Sequence, residues 1–74
     1  MFDKVVEVIL KNTSITRDKI NRDSCFVTDL SINSFEMTEM ICELEDTLGI
    51  EIPEEAIKNF RTVGNIVDYL EKTQ

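Results

Sequence analysis

Few residues in this chain can do chemistry, and the stretch "TDLSINSFEMTEM", residues 28–40, holds the most suggestive of them. Ser34 stands there where turn-forming residues give way to an acidic segment of helical periodicity. As a catalytic nucleophile it lacks a partner. The 74 residues include no His, so no imidazole can take its proton, and no lysine lies near it in sequence. The same absence removes Ser-His-Asp, Cys-His and most catalytic zinc sites. Two roles remain. Ser34 can cap a helix, or its hydroxyl can be an attachment point. A phosphodiester formed on a serine at a helix N-terminus meets unpaired backbone N–H groups and the positive end of the helix dipole. An external enzyme would then supply the chemistry. Cys25 and Cys42, 17 positions apart with no CxxC, read as reduced thiols of a cytosolic protein and as small apolar fillers. No metal-ligating set is expected.

The acids around Ser34 are unevenly placed. On a helical wheel with Glu36 at zero, Met37, Met40, Ile41, Leu44 and Leu48 fall on an arc from about 40° to 140°, the expected core stripe. Glu36, Glu39, Glu43 and Asp46 fall on an adjoining arc, from about 0° to −80°. Acids at i, i+3 and i+4 repel by ~0.2–0.5 kcal/mol per pair. Between Arg22 and Lys58 ten acids and no Lys or Arg occur. The bland reading of this rail is a solvated face. The sharper one is a docking face for basic partner surfaces, with Glu36, Glu39 and Glu43 in contact. Phe35, Thr38 and Cys42 form a third arc, where an aromatic ring beside acids would suit a transient interface.

These residues need elements to position them. Residues 2–12, with Phe2, Val5, Val6, Ile9 and Leu10 at helical spacing, predict a first helix. Residues 13–33 predict a long connection rich in cap and turn formers. Its interleaved Ile15, Ile20, Phe26, Val27, Leu30 and Ile32 should pin it onto the core. Residues 35–48 predict the strongest helix, about 21 Å long, capped by Ser34 and ended by Gly49. Pro53 should open a short helix at its first position. Thr62 should cap a last one, with Val63, Ile66, Val67 and Leu70 inward. Gly64, in its first turn, has no reason visible in the sequence. The expectation is one all-α domain over residues 1–74. It would be a small antiparallel bundle of three main helices and a short third one, with a long loop between the first and second.

Composition narrows the function classes. A formal net charge of −7 disfavours nucleic acid as a partner and favours basic protein surfaces. No segment reaches the ~20 apolar residues of a membrane span. Asp3 and Lys4 interrupt any leader-like pattern. A cytoplasmic monomer is expected.

Residues 26–70, "FVTDLSINSFEMTEMICELEDTLGIEIPEEAIKNFRTVGNIVDYL", resemble the acyl carrier protein family, in its free-standing bacterial form. The likeness rests on Phe26-Val27-x-Asp29-Leu30, the serine opening an acidic helix, Ile52-Pro53 and Thr62-Val63. The resemblance implies that Ser34 bears 4′-phosphopantetheine, installed from coenzyme A by a phosphopantetheinyl transferase, with acyl chains held on its thiol as thioesters. It implies a substrate-carrying partner of acyl-chain-processing enzymes, not an enzyme. By position it assigns Phe35, Glu36, Thr38, Glu39 and Cys42 to partner recognition by basic patches. It assigns Met40, Leu44, Ile52, Ile57, Phe60 and Ile66 to an acyl cavity, with Met37 and Met40 as adaptable lining. Ordinary core packing accounts for the same apolar residues.

Two departures stand out. Asn33 replaces the Asp that usually precedes the serine, which removes a charge where the modifying enzyme arranges its metal. Slower modification or a dedicated transferase would follow. Ser31-Ile32 replaces the usual glycine-containing approach. Both point to a specialised carrier. The leading reading is a carrier for fatty-acid or related acyl-chain synthesis. The alternatives are aminoacyl, peptidyl or polyketide cargo, or an unmodified acidic adaptor.

Overall fold

The first helix forms where periodicity predicts it. In the computed structural model, which describes residues 1–73, α1 spans Phe2–Asn12. Its apolar stripe buries Val5, Val6 and Ile9, together with Val8; Phe2 and Leu10 are half-buried. Side chains close its C-terminal end. Asn12 Nδ2 donates to the Val8 carbonyl at 2.9 Å and Thr13 Oγ1 to that of Ile9 at 2.7 Å, satisfying acceptors that the last turn leaves orphaned.

The connection that follows is ordered by its own polar side chains. It contains a 3₁₀ turn, Arg17–Lys19. The buried Ser24 Oγ donates to the Lys19 carbonyl and accepts from the Asn21 N–H, both at 3.0 Å. Cys25 pairs with Thr62 in an isolated antiparallel bridge. Around it Phe26 N–H donates to Arg61 O and Val63 N–H to Ser24 O, each at 3.0 Å. Ile20, Phe26, Leu30 and Ile32 are buried, as expected of a pinned loop. Val27 is the correction: it is 75% exposed. It sits in a tight turn in which Asp29 and Leu30 N–H both donate to the Cys25 carbonyl, and this turn directs it outward.

The second helix, α2, spans Ser34–Leu48. Its N-cap is Asn33, not Ser34. The Asn33 side chain accepts the Glu36 N–H at 2.8 Å, and the Glu36 carboxylate accepts the Asn33 N–H at 3.2 Å. This capping box satisfies two donors reciprocally. It begins one residue before the expected cap and so places Ser34 inside the helix. Gly49 ends α2 at φ 65, ψ 37, the left-handed conformation expected of it.

Pro53 is also displaced by one position. It is the N-cap of α3, Glu54–Ile57, with ψ 152, because its extended ψ keeps it outside the helix it precedes. The last helix, α4, spans Val63–Thr73. Thr62 Oγ1 accepts the Asn65 N–H at 3.2 Å, and Asn65 Oδ1 accepts those of Arg61 and Thr62 at 3.0 Å. Thr62 therefore caps as expected. Gly64 gains an explanation. Its N–H donates to Arg22 O at 2.8 Å, and a Cβ there would lie 2.9 Å from that oxygen.

The architecture is all-helical, with α1 packed against both α2 and α4. Met40, Ile41 and Leu44 of α2 and Val63, Ile66, Val67 and Leu70 of α4 belong to one buried core cluster. Fully burying an apolar side chain of this size contributes roughly 1.5–3 kcal/mol. No helix of the described residues is long and apolar enough to cross a membrane.

Candidate functional site

Ser34 is held in the open by what precedes it. Ile32 is buried, and its N–H donates to Phe26 O at 2.8 Å, so the chain is anchored two residues before the helix. Asn33 then turns it into α2. The capping box uses the N–H of Glu36, and Met37 N–H donates to Asn33 O at 2.9 Å. Among the described residues the N–H groups of Ser34 and Phe35 have no protein acceptor. They form the positive end of the helix dipole. Ser34 is exposed and its hydroxyl is engaged by no described side chain. Its carbonyl accepts the Thr38 hydroxyl at 3.0 Å.

Ser34 opens onto a groove of about 720 Å³ between α2 and α3. The apolar lining comes from Phe26, Val27, Ile32, Met37, Ile41, Ile52, Ile57 and Phe60. Asn33, Thr38, Cys42, Glu45, Glu54 and Lys58 supply the polar edge. Glu45 is partly committed: its Oε2 accepts the Ile52 N–H at 2.8 Å. This ties the segment before α3 to α2 and holds the groove's end in place.

Of the expected cavity residues, Ile52, Ile57 and Phe60 line this groove. Met40, Leu44 and Ile66 do not. They are fully buried in the core: Met40 and Leu44 lie on α2 and Ile66 on α4, the two helices that α1 packs against. The groove uses Met37 and Ile41 instead, together with Phe26 and Ile32 from the connection. The signal was available on the helical wheel. Thr38, Ile41, Cys42 and Glu45 lie four, seven, eight and eleven positions beyond Ser34, on its own face of the helix.

The expected recognition residues separate into three situations. Phe35, at 72% exposure, Thr38, Glu39 and Cys42 are open to solvent. Glu36 is half-buried in the capping box. Glu43 is already paired. Its carboxylate lies 3.4 Å from Lys11 Nζ and accepts from Asn12 Nδ2 at 3.4 Å, with the side chain 29% exposed. A base therefore does reach the acidic rail, brought from α1 by the packing of the two helices. Cys25 and Cys42 are both free thiols, and no group of acids or cysteines among the described residues could hold a metal ion.

Comparison with known proteins gives this geometry a context. Residues 3–70 match the family described as "Phosphopantetheine attachment site". An acyl carrier protein of Clostridium perfringens is 41% identical over 70 residues, covering 95% of this chain and 92% of the relative. One of Lactobacillus johnsonii is 39% identical over 74 residues, covering 100% and 92%. Among solved structures, a Mycobacterium tuberculosis chain described as an acyl carrier protein superposes with a TM-score of 0.91 at 25% identity, covering 99% of this chain and 97% of its own. The chain therefore belongs to the phosphopantetheine-attachment family. Within that class it is an acyl carrier and not a catalyst, and it works with a transferase and with acyl-processing enzymes.

The residues present fit the prosthetic group. An exposed hydroxyl, two N–H groups without acceptors and an adjoining apolar groove suit a tethered phosphodiester with an apolar load. When bound, 4′-phosphopantetheine supplies the thiol that holds an acyl group as a thioester.

Proposed function

We propose that Ser34 Oγ is the attachment atom and that residues 1–74 act as one carrier domain for acyl chains of fatty-acid or related synthesis. One observation carries this reading. The hydroxyl on the first residue of α2 is solvent-facing, sits at free backbone N–H groups, and opens onto the only groove among those described that Ser34 lines. The chain's own part is to display the oxygen, to offset the phosphodiester's charge at the helix end, and to offer the acyl group an apolar wall. Deprotonation of the serine falls to the loading enzyme, since the chain offers no imidazole.

Phe35, Glu36, Thr38, Glu39 and Cys42 form the face that basic patches of partner enzymes recognise, with Glu39 as the most available charge. Glu43, paired with Lys11, borders that face as its least available charge. The carrier acts as a monomer in the cytoplasm. Intact mass after incubation with coenzyme A and a broad-specificity phosphopantetheinyl transferase tests the assignment. The expected result is a gain of one arm in the native chain and none in Ser34→Ala. No gain with several transferases, or a gain that survives Ser34→Ala, overturns it.

A further inference from the structure

We infer that Phe60 sets the length of acyl chain the groove accepts, acting as an end wall that yields toward Tyr69. This rests on the carrier reading above and adds a specificity-determining residue to it.

Phe60 lies three residues beyond the single turn of α3 and is only 9% exposed. It lines the groove that Ser34 opens onto. It also lines a second hollow, of about 530 Å³, on the other side of α3, bounded by Ala56, Asn59, Asn65, Asp68 and Tyr69. It is the one residue common to the two linings. Its ring is thus the partition between them. On the far side it meets the Tyr69 ring edge-on, with centroids 5.6 Å apart and planes at 67°.

Glu45 and Ile52 also border a third hollow, edged by Asp46 and Glu51, but the Glu45 carboxylate accepts the Ile52 N–H at 2.8 Å and fixes that wall. Ile41 belongs to the same core cluster as Met40, Leu44 and Ile66, which are fully buried. A close-packed interior resists insertion of further methylenes. Phe60 is backed by open space, and its ring can move between staggered χ1 positions without displacing backbone. The wall that carries it is also the least anchored, since α3 contains no buried residue. The hollow beyond has Asn59, Asn65 and Asp68 on its edge, a poor surface for an alkyl chain. A growing chain therefore fills the groove, reaches the ring, pushes it off Tyr69, and then meets a polar boundary.

The chain contains one Tyr and no Trp, so Tyr69 reports on this partition without interference. The test loads the full chain at Ser34 with a ladder of saturated acyl-pantetheine arms in two-carbon steps, using acyl-coenzyme A donors and a transferase. Intact mass verifies each loading. Tyr69 emission and its ring proton shifts are then read for every rung. The expected result is a signal that stays at the unacylated value for short chains and steps at one length. In Phe60→Leu, checked for helicity by circular dichroism, the step moves to a longer chain. A flat signal over the whole ladder on fully loaded carrier overturns the inference alone. So does a change that begins with the shortest chain, or a step at the same length in Phe60→Leu. Should the leucine variant fail to fold, the native ladder still decides through the step itself and the Tyr69 ring shifts. Failure to load at all removes the Ser34 assignment together with this inference.

Discussion

At Ser31 the backbone adopts φ 53, a left-handed conformation that is disfavoured for an L-residue by roughly 1–2 kcal/mol. Glycine has no such penalty but loses more entropy on folding, by about 0.4–1 kcal/mol. Ser31→Gly should therefore raise stability by up to about 1 kcal/mol, read as a higher urea midpoint at unchanged m. Gly64 presents the opposite case. Its missing Cβ leaves room for a backbone oxygen, which cannot swing aside as a flexible side chain would. Gly64→Ala should cost about 1–3 kcal/mol, as overpacking does, and a midpoint equal to the native one would refute the close approach to Arg22. At Asn33 the side chain is occupied by the helix cap. Asn33→Ala should cost about 1 kcal/mol, while Asn33→Asp keeps the cap. If the missing charge slows loading, the aspartate variant should gain the arm faster with a broad-specificity transferase. Resemblance pointed to positions 31 and 33 through the residues they replace. Their roles in a left-handed turn and a capping box required coordinates.

At the scale of the helix, α2 presents different chemistry on each side, and the wheel anticipated most of it. Met40, Ile41 and Leu44 are buried, while Glu39 is exposed. What the wheel could not show is that the acids are unequal. Glu36 holds the cap and Glu43 holds Lys11. A double Glu36→Lys, Glu39→Lys change would thus mix loss of docking with loss of a capping box. Glu39→Lys alone is the cleaner probe. It should weaken binding to a basic partner enzyme several-fold at low salt, with the helical circular dichroism spectrum unchanged. Equal affinity for both forms at low ionic strength would remove Glu39 from the docking face. The Lys11–Glu43 pair is surface-exposed on the lysine side, so Glu43→Gln should change stability by no more than about 1 kcal/mol.

For the whole molecule the dominant quantity is charge. A formal −7 on 74 residues repels itself in the folded state more than in the expanded one. Monovalent salt screens that repulsion within a Debye length of about 10 Å at 0.1 M. The thermal midpoint should rise as salt is added from low concentration, while affinity for basic partners falls. The two opposite trends, followed by calorimetric melting and by a binding titration, separate self-repulsion from docking. A midpoint indifferent to salt would mean that the acidic surface carries little strain.

The four helices, the capping role of Thr62 and the left-handed Gly49 were legible from the sequence alone. Each depends on residues within a turn or two of one another, where side-chain periodicity and cap chemistry operate. Tertiary structure decided the rest. It sealed Met40, Leu44 and Ile66 while leaving Met37 and Ile41 on the groove, brought Lys11 to Glu43, set Arg22 O against Gly64, and placed Phe60 between two hollows. Those outcomes depend on which helices cover which part of a stripe, and contacts between residues distant in sequence arise only when the chain closes on itself.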